Sequence, residues 1–249
     1  MASPRTYRTR AIVLDKTKLG ESDLILELLA ENGSLVRAVA KGARKPGSRL
    51  AARCELFCTV DALVARGRSL DIVSEAKLVA APISGSASLE RMSAASAAAE
   101  LLKFSSFEDA EDAFLFPFAS KALESVAAAQ DAAHLDLLVA ACAFKLLAHT
   151  GYRPDLSGCV LCGDERADLF SASAGGFLCT SCAKDVAGAT AVSPSEAGWL
   201  RALMALRFDE LLAADIDAPT AAFLLALAHT WAATHLDARL RAFEFFLGV

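Results

Sequence analysis

Aromatic residues are nearly missing from the first third of this 249-residue chain: residues 1–80 hold only Tyr7 and Phe57. With so few stacking platforms, a polyanion bound there would be held by backbone electrostatics and with little sequence preference. A GxxxxGK[ST] phosphate loop is also absent. No apolar segment of the secretory type follows the early Arg5, Arg8 and Arg10. The apolar run Ala221–Ala228 is too short to cross a bilayer. The chain is therefore expected to be soluble and cytoplasmic, with no membrane partner. Histidine is scarce, and none of His134, His149, His229 and His235 stands in a His-x-Glu motif. Gly158 and Leu178, not proline, precede the two CxxC pairs, which excludes a zinc deaminase. Neither internal repeats nor a low-complexity linker interrupts the chain.

Apolar residues make up 55% of the sequence, enough for a sizeable core, and the many alanines favour helices in the middle of the chain. The net charge of −5 conceals an asymmetry. Residues 1–80 hold 14 Lys/Arg against 9 Asp/Glu, or +5, whereas residues 81–249 hold 11 against 21, or −10. A basic module attached to an acidic body implies different partners for the two parts, with polyanion binding assigned to the first.

Period-two alternation marks the first part. Leu24, Leu26 and Leu28 share one face of Asp23–Ala30, and Val36, Ala38 and Ala40 share one face of 35–41. The segment 54–64 alternates through Cys54, Leu56, Cys58, Val60, Ala62 and Val64, and Leu70, Ile72, Ala76 and Leu78 continue the pattern. With a first strand at 8–14, this predicts five half-buried strands closing into an OB-fold barrel over residues 1–80. At Pro82 the period becomes helical. Helices are predicted from a cap at Ser86 or Ser88 to about Phe104, over about 109–129, from Asp131 to Gly151, after the capping box Ser193–Glu196, from Asp217 to about His235, and through Phe243–Leu247. The fold class is thus α+β and multidomain: a barrel, then a helical domain over 81–249, interrupted by a cysteine-rich element at 157–184.

That element carries the strongest chemical signal. Cys159-Val-Leu-Cys162 and Cys179-Thr-Ser-Cys182 form two CxxC knuckles separated by residues 163–178. Two chelating thiolate pairs suit one tetrahedral Zn2+ per chain, although iron also takes four cysteines. Four protein ligands leave no open position, so the site is structural. A redox reading would leave the second pair unexplained. Leu169–Ser171 and Gly175–Leu178 read as a hairpin that returns the second pair to the first. Cys54, Cys58 and Cys142 read as small buried hydrophobes.

The densest basic stretch is Lys41-Gly-Ala-Arg44-Lys45-Pro-Gly-Ser-Arg49. Gly42, Pro46 and Gly47 keep it out of regular structure, so long cationic side chains on it can follow a phosphate backbone. Arg37 and Lys41 lie on the polar face of the preceding strand. A solvated basic turn is the plainer alternative. Phe57, opposite the apolar face of its strand, either stacks on a base or packs under a helix. The acidic cluster Glu108, Asp109, Glu111 and Asp112 reads as dipole-stabilising residues at or just before a helix start, not as a Mg2+ site.

The combination resembles the RecO family. The residues that carry the likeness are Arg10–Leu14, Gly20–Leu24, Ala40–Lys45 with Ser48-Arg49, Gly151–Leu156, the two CxxC pairs and Gly175-Gly176. It covers most of the chain, more loosely over 86–130 and 195–249. The resemblance implies an N-terminal OB-fold, a helical domain and a four-cysteine zinc element. It also implies a non-catalytic mediator that binds single- and double-stranded DNA and anneals strands. With RecR and often RecF, such a protein loads RecA onto gaps coated by the single-stranded-DNA-binding protein (SSB), whose C-terminal tail it recognises, on the nucleoid. Carried over by position, Lys41, Arg44, Lys45 and Arg49 match the family's basic loop and the four cysteines its metal ligands. Candidate cations for the tail are Lys145, Arg153, Arg201, Arg207, Arg239 and Arg241. The acidic helical domain departs from members that contact DNA there. The alternative is a general zinc-ribbon OB-fold protein that binds or modifies nucleic acid.

Overall fold

The computed structural model describes residues 5–83 and 87–249. Two compact units divide the chain, Met1–Ala127 and Ala128–Val249. The change of period at Pro82 therefore falls inside the first unit, which also holds the first two long helices.

In the first unit, β1 (Thr6–Leu19), β2 (Asp23–Ala30), β3 (Leu35–Ala40), β4 (Thr59–Ala65) and β5 (Asp71–Ala80) close a barrel in the order β1-β2-β3-β5-β4. All neighbours are antiparallel except β3 and β5, which meet in parallel at Ala38–Asp71 and Val39–Ile72. With a short helix α1 (Arg49–Arg53) between β3 and β4, this is the OB-fold arrangement. The alternating residues do what their spacing implies: Leu26, Leu28, Ala38, Ala40, Val60, Ala62 and Val64 fill the barrel interior. β1 is longer than its apolar run because it pairs β4 through Thr6–Ile12 and β2 through Ala11–Leu19. Ala11–Leu14 is buried on both faces, as a continuous apolar run should be when a helix covers the outside.

That helix is α2 (Leu89–Ser105), which packs on β1. Ser88 is its N-cap, accepting from the Arg91 N–H; Ser86 lies outside the described residues. From α2, Lys103 reaches Asp15 at 2.5 Å and Glu27 at 2.7 Å. A register shift in β1 between Val13 and Asp15 accompanies this contact.

Two expectations are corrected here. The strand foreseen over 54–64 begins only at Thr59, because Ser48 caps α1 and accepts the Ala51 N–H. Phe57 then lies before the strand with φ +65°, is 1% exposed, and donates its N–H to the Val13 carbonyl. It cannot stack on a base. The helix foreseen from about Asp109 begins at Leu115 as α3 (Leu115–Ala128), with no acidic residue in its first turn.

In the second unit, α4 (Ala132–His149) is the central helix. Asp131 caps it through the His134 N–H and also binds the His134 ring at 2.8 Å. By length and composition α4 could cross a membrane, but 72% of it is buried in the protein, as a core helix is. Around it pack α5 (Pro194–Ala205), α6 (Phe208–Leu212) and α7 (Ala218–Leu236), followed by α8 (Arg241–Leu247). The capping box at Ser193 and Glu196, with Pro194 opening α5, is as the sequence predicts.

α4 carries one misfit. Burial pushes the Asp136 carboxyl up to about 6. Its charged form opposes folding above that pH, and the penalty vanishes below the unfolded value near 4. Asp136→Asn is expected to stabilise the protein by about 1 kcal/mol above pH 6, allowing for solvent screening. Thermal melts of both proteins at a series of pH values check this: the gain must shrink as pH falls towards 4, and a pH-independent difference contradicts it.

Candidate metal centre and nucleic-acid interface

Between α4 and α5 the chain forms a three-stranded sheet in the order β7-β6-β8, from β6 (Leu169–Ser171), β7 (Gly176–Leu178) and β8 (Thr190–Ala191). The β6–β7 hairpin pairs Leu169 with Leu178 and so delivers Cys179 to the first knuckle. That knuckle is anchored to the hairpin by the Val160 N–H, which donates to the Phe177 carbonyl at 2.9 Å. Each CxxC is a tight turn: the Gly163 N–H donates to the Cys159 carbonyl and the Ala183 N–H to the Cys179 carbonyl.

The sulfurs of Cys159, Cys162, Cys179 and Cys182 all lie within 4.8 Å of one another, and Cys162 and Cys179 are 3.7 Å apart. Sulfurs about 2.3 Å from one tetrahedral ion stand roughly 3.8 Å from each other, so the four fit a single metal ion. Backbone N–H groups, that of Cys179 first, hold the Cys159 thiol well below the usual thiol range. The neighbouring sulfurs, Cys162 foremost, push Cys182 up. Leu178 is fully buried against the cluster, with Val160, Ala167 and Val186 around it. The metal element thus sits on an apolar floor.

Gly176 is needed where the hairpin crosses Asp155. Its φ is +158°, and a Cβ there would stand 2.1 Å from the Asp155 carbonyl oxygen. Gly176→Ala is expected to destabilise the second unit by about 1–3 kcal/mol, through a strained backbone and a displaced hairpin. Differential scanning calorimetry checks it, and an unchanged transition would contradict the close approach.

The basic residues singled out in the sequence fall in three places. Lys41, Arg44 and Lys45 form an exposed loop clasped to the β1–β2 turn. Asp23 accepts the Gly42 N–H at 2.7 Å, the Arg44 N–H donates to the Ser22 carbonyl, and Arg44 Nη1 donates to the Gly20 carbonyl, both at 2.8 Å. The Gly42 N–H and the Ser22 hydroxyl hold the Asp23 carboxyl below its ordinary range. The clasp therefore persists through mildly acidic pH and loosens only as pH falls below about 4.

Arg49 opens α1 and lines a different cleft, with Arg8, Arg53 and Lys77. Arg37 stands 3.5 Å from Glu27 and lines a third place, a cleft of mixed charge. There Arg8, Arg66 and Arg68 face Glu31, Glu108, Asp109 and Glu111. Glu31 belongs to the β2–β3 turn, and Glu108, Asp109 and Glu111 to a loop fastened to that turn. The Leu35 N–H donates to the Phe107 carbonyl, the Asp112 N–H to the Asn32 carbonyl, and Asn32 Nδ2 to Glu111. Gly33 admits this contact, since a Cβ there would lie 1.8 Å from the Asp112 oxygen. Glu108, Asp109 and Glu111 form a lip of the barrel, while Asp112, just before α3, accepts the Phe114 N–H at 3.0 Å.

Sequence reasoning missed Arg8, Arg53, Arg66, Arg68 and Lys77 as parts of these clefts. They are scattered in sequence and meet only through strand pairing. Tyr7, the barrel's second aromatic, donates its hydroxyl to Asp71 at 2.7 Å, and Arg66 covers its ring at 5.1 Å. Phe57 is thus closed off, and Tyr7 is half-buried with Arg66 over its ring.

Comparisons with known proteins agree with this architecture. The family model described as recombination protein O N terminal matches residues 1–82, and that described as recombination protein O C terminal matches residues 86–243. The DNA repair protein RecO of Rubrobacter xylanophilus is 34% identical over 208 residues, 82% of this chain and 83% of that protein. RecO of Dehalococcoides mccartyi is 31% identical over 185 residues, 73% and 72% of the two chains. RecO of Bifidobacterium longum is 37% identical over 179 residues, 70% and 72%.

Proposed function

Since the chain belongs to the RecO family of DNA repair and recombination proteins, we propose that it is a non-catalytic mediator that binds single- and double-stranded DNA by phosphate contacts on its barrel and anneals complementary strands. With RecR, and with RecF where present, it would help load RecA onto gapped DNA coated by SSB, in the cytoplasm and on the nucleoid. The observation that carries this reading is the exposed, clasped loop of Lys41, Arg44 and Lys45, with Arg49 at its end, on a barrel with only two aromatics, of which Phe57 is buried. Arg37, partnered by Glu27, contributes less. The four cysteines hold one structural Zn2+, which fixes the hairpin and supplies no reaction chemistry. Incubation of the protein with labelled DNA, Mg2+ and Mn2+ tests the non-catalytic part: the DNA must come back unaltered.

The SSB tail is acidic and apolar, so it needs a cation beside an apolar surface. Of the candidate cations, four are engaged within the chain. Lys145 donates to the Leu206 carbonyl, Arg201 to the Leu156 carbonyl, Arg207 bonds Asp209, and Arg239 bonds Glu244. Arg241 stands one turn before Phe245 on α8, and Phe245 is 64% exposed. Together they supply the required pair. Arg241→Ala with Phe245→Ala is expected to weaken binding of a labelled tail peptide about tenfold or more at low salt. Equal binding by variant and wild type would move the tail site elsewhere.

A further inference from the structure

A cleft of about 820 Å3 lies on the outer face of β1, β4 and β5 beside α1. It is within the range of ligand-sized clefts. Its floor is Leu50, Leu63 and Ala76, and its charged rim is Arg8, Arg49, Arg53, Lys77, Asp61 and Glu75. Strand pairing assembles the rim. Arg8 pairs with Leu63 and Leu63 with Glu75; two residues along, Arg10 pairs with Asp61 and Asp61 with Lys77. Asp61 is balanced by Arg10, which holds it at 2.8 Å and 3.2 Å through two nitrogens. Arg53 donates Nη1 to the Ala76 carbonyl at 2.9 Å, which fixes its guanidinium on the rim. A guanidinium has five N–H donors, so this leaves others for a ligand.

The cleft of mixed charge makes a useful contrast. There the acidic lip of Glu108, Asp109 and Glu111 repels a polyanion, and Arg8 stands between the two clefts, lining both. On the β1–β4–β5 face, four cations meet Glu75 and an already balanced Asp61. Cations set around a shallow apolar floor without an open aromatic suit a phosphodiester backbone and offer little that reads a base. The clasped loop is a separate place, because Arg49 alone stands at the junction of the two.

We propose that this cleft is a second phosphodiester-binding track, with Arg8, Arg53 and Lys77 gripping phosphates, so that one barrel holds two segments of polynucleotide at once. The proposal rests on the reading of the loop as the first track. Arg49, at the start of α1, joins them.

The test is a saturation titration of the full-length, metal-loaded protein with a short labelled single-stranded oligonucleotide at low salt, followed by binding at increasing salt. Arg8→Ala with Lys77→Ala changes only exposed side chains. The wild type is expected to take two oligonucleotides per chain, and this variant one. Its salt slope should be flatter by up to about 1.4, at about 0.7 for each phosphate contact. Lys41→Ala, Arg44→Ala and Lys45→Ala together should also leave one site, the other one. An Arg8/Lys77 variant with two sites and the wild-type slope overturns the second track, while the first stands if the loop variant loses binding. Failure of the wild type to bind any oligonucleotide overturns the proposed function itself.

Discussion

Cys179→Ser, or removal of the metal by a chelator, is expected to cost the second unit several kcal/mol and to lower its melting temperature by many degrees. Structural zinc sites in small peptides contribute about 10–16 kcal/mol of apparent binding free energy, which is also folding free energy. Here the site is not an appendage. Val160 ties the first knuckle to Phe177. Phe177 packs edge-on against Phe170, Phe170 lies 5.4 Å from Trp231, and Trp231 lies 6.0 Å from Phe144 on α4. Arg201 of α5 covers Phe177 at 5.3 Å. Loss of the ion frees the knuckles, then the hairpin, then this aromatic column. Elemental analysis should find about one Zn2+ per chain, and thermal melting should show the drop. Metal-free protein with four free thiols and unchanged melting would contradict the site.

The second large effect concerns DNA. Replacing Lys41, Arg44, Lys45 and Arg49 together by Ala is expected to flatten the plot of log K against log salt by up to about 3, if all four touch phosphate. Between about 50 and 200 mM salt, the variant would then lose roughly fiftyfold less affinity than the wild type, from a weaker start. The four side chains are exposed, so the variant should keep its metal and its helices. The Asp23 clasp on Gly42 holds the loop backbone in place even without the Arg44 side chain. An unchanged slope would leave the loop as a solvated turn. Arg37→Ala should change the slope less than any loop residue, because Glu27 already partners it.

Periodicity made the barrel legible. Asp23–Ala30 is legible to the residue from the alternation of Leu24, Leu26 and Leu28, although the structure also buries Leu29 on the opposite face. Side-chain caps located α4, α5 and α7, because Asp131, Ser193 and Asp217 each bond a backbone N–H that the helix leaves unpaired. Segments too short to show a period were not legible. α1 has only five residues, and the alternation of Cys54, Leu56 and Cys58 just after it imitates a strand. α6, also five residues, left no signal that was read. The acidic cluster does lie just before a helix, α3, but its contact with the β2–β3 turn, about eighty residues away, leaves no local signal. The clustering of the four cysteines was legible, since their spacing alone sets two knuckles against each other. The clefts were not, because their cations come from β1, α1 and β5 and meet only across paired strands.

Annealing of complementary oligonucleotides coated with SSB tests the central claim most directly. The wild-type protein should accelerate duplex formation on the coated strands. The Lys41/Arg44/Lys45/Arg49 variant, folded and metal-loaded, should do so far more slowly. Wild-type protein that leaves the coated strands unpaired, or a variant as fast as the wild type, would contradict an account in which the barrel's basic loop holds DNA for a recombination mediator.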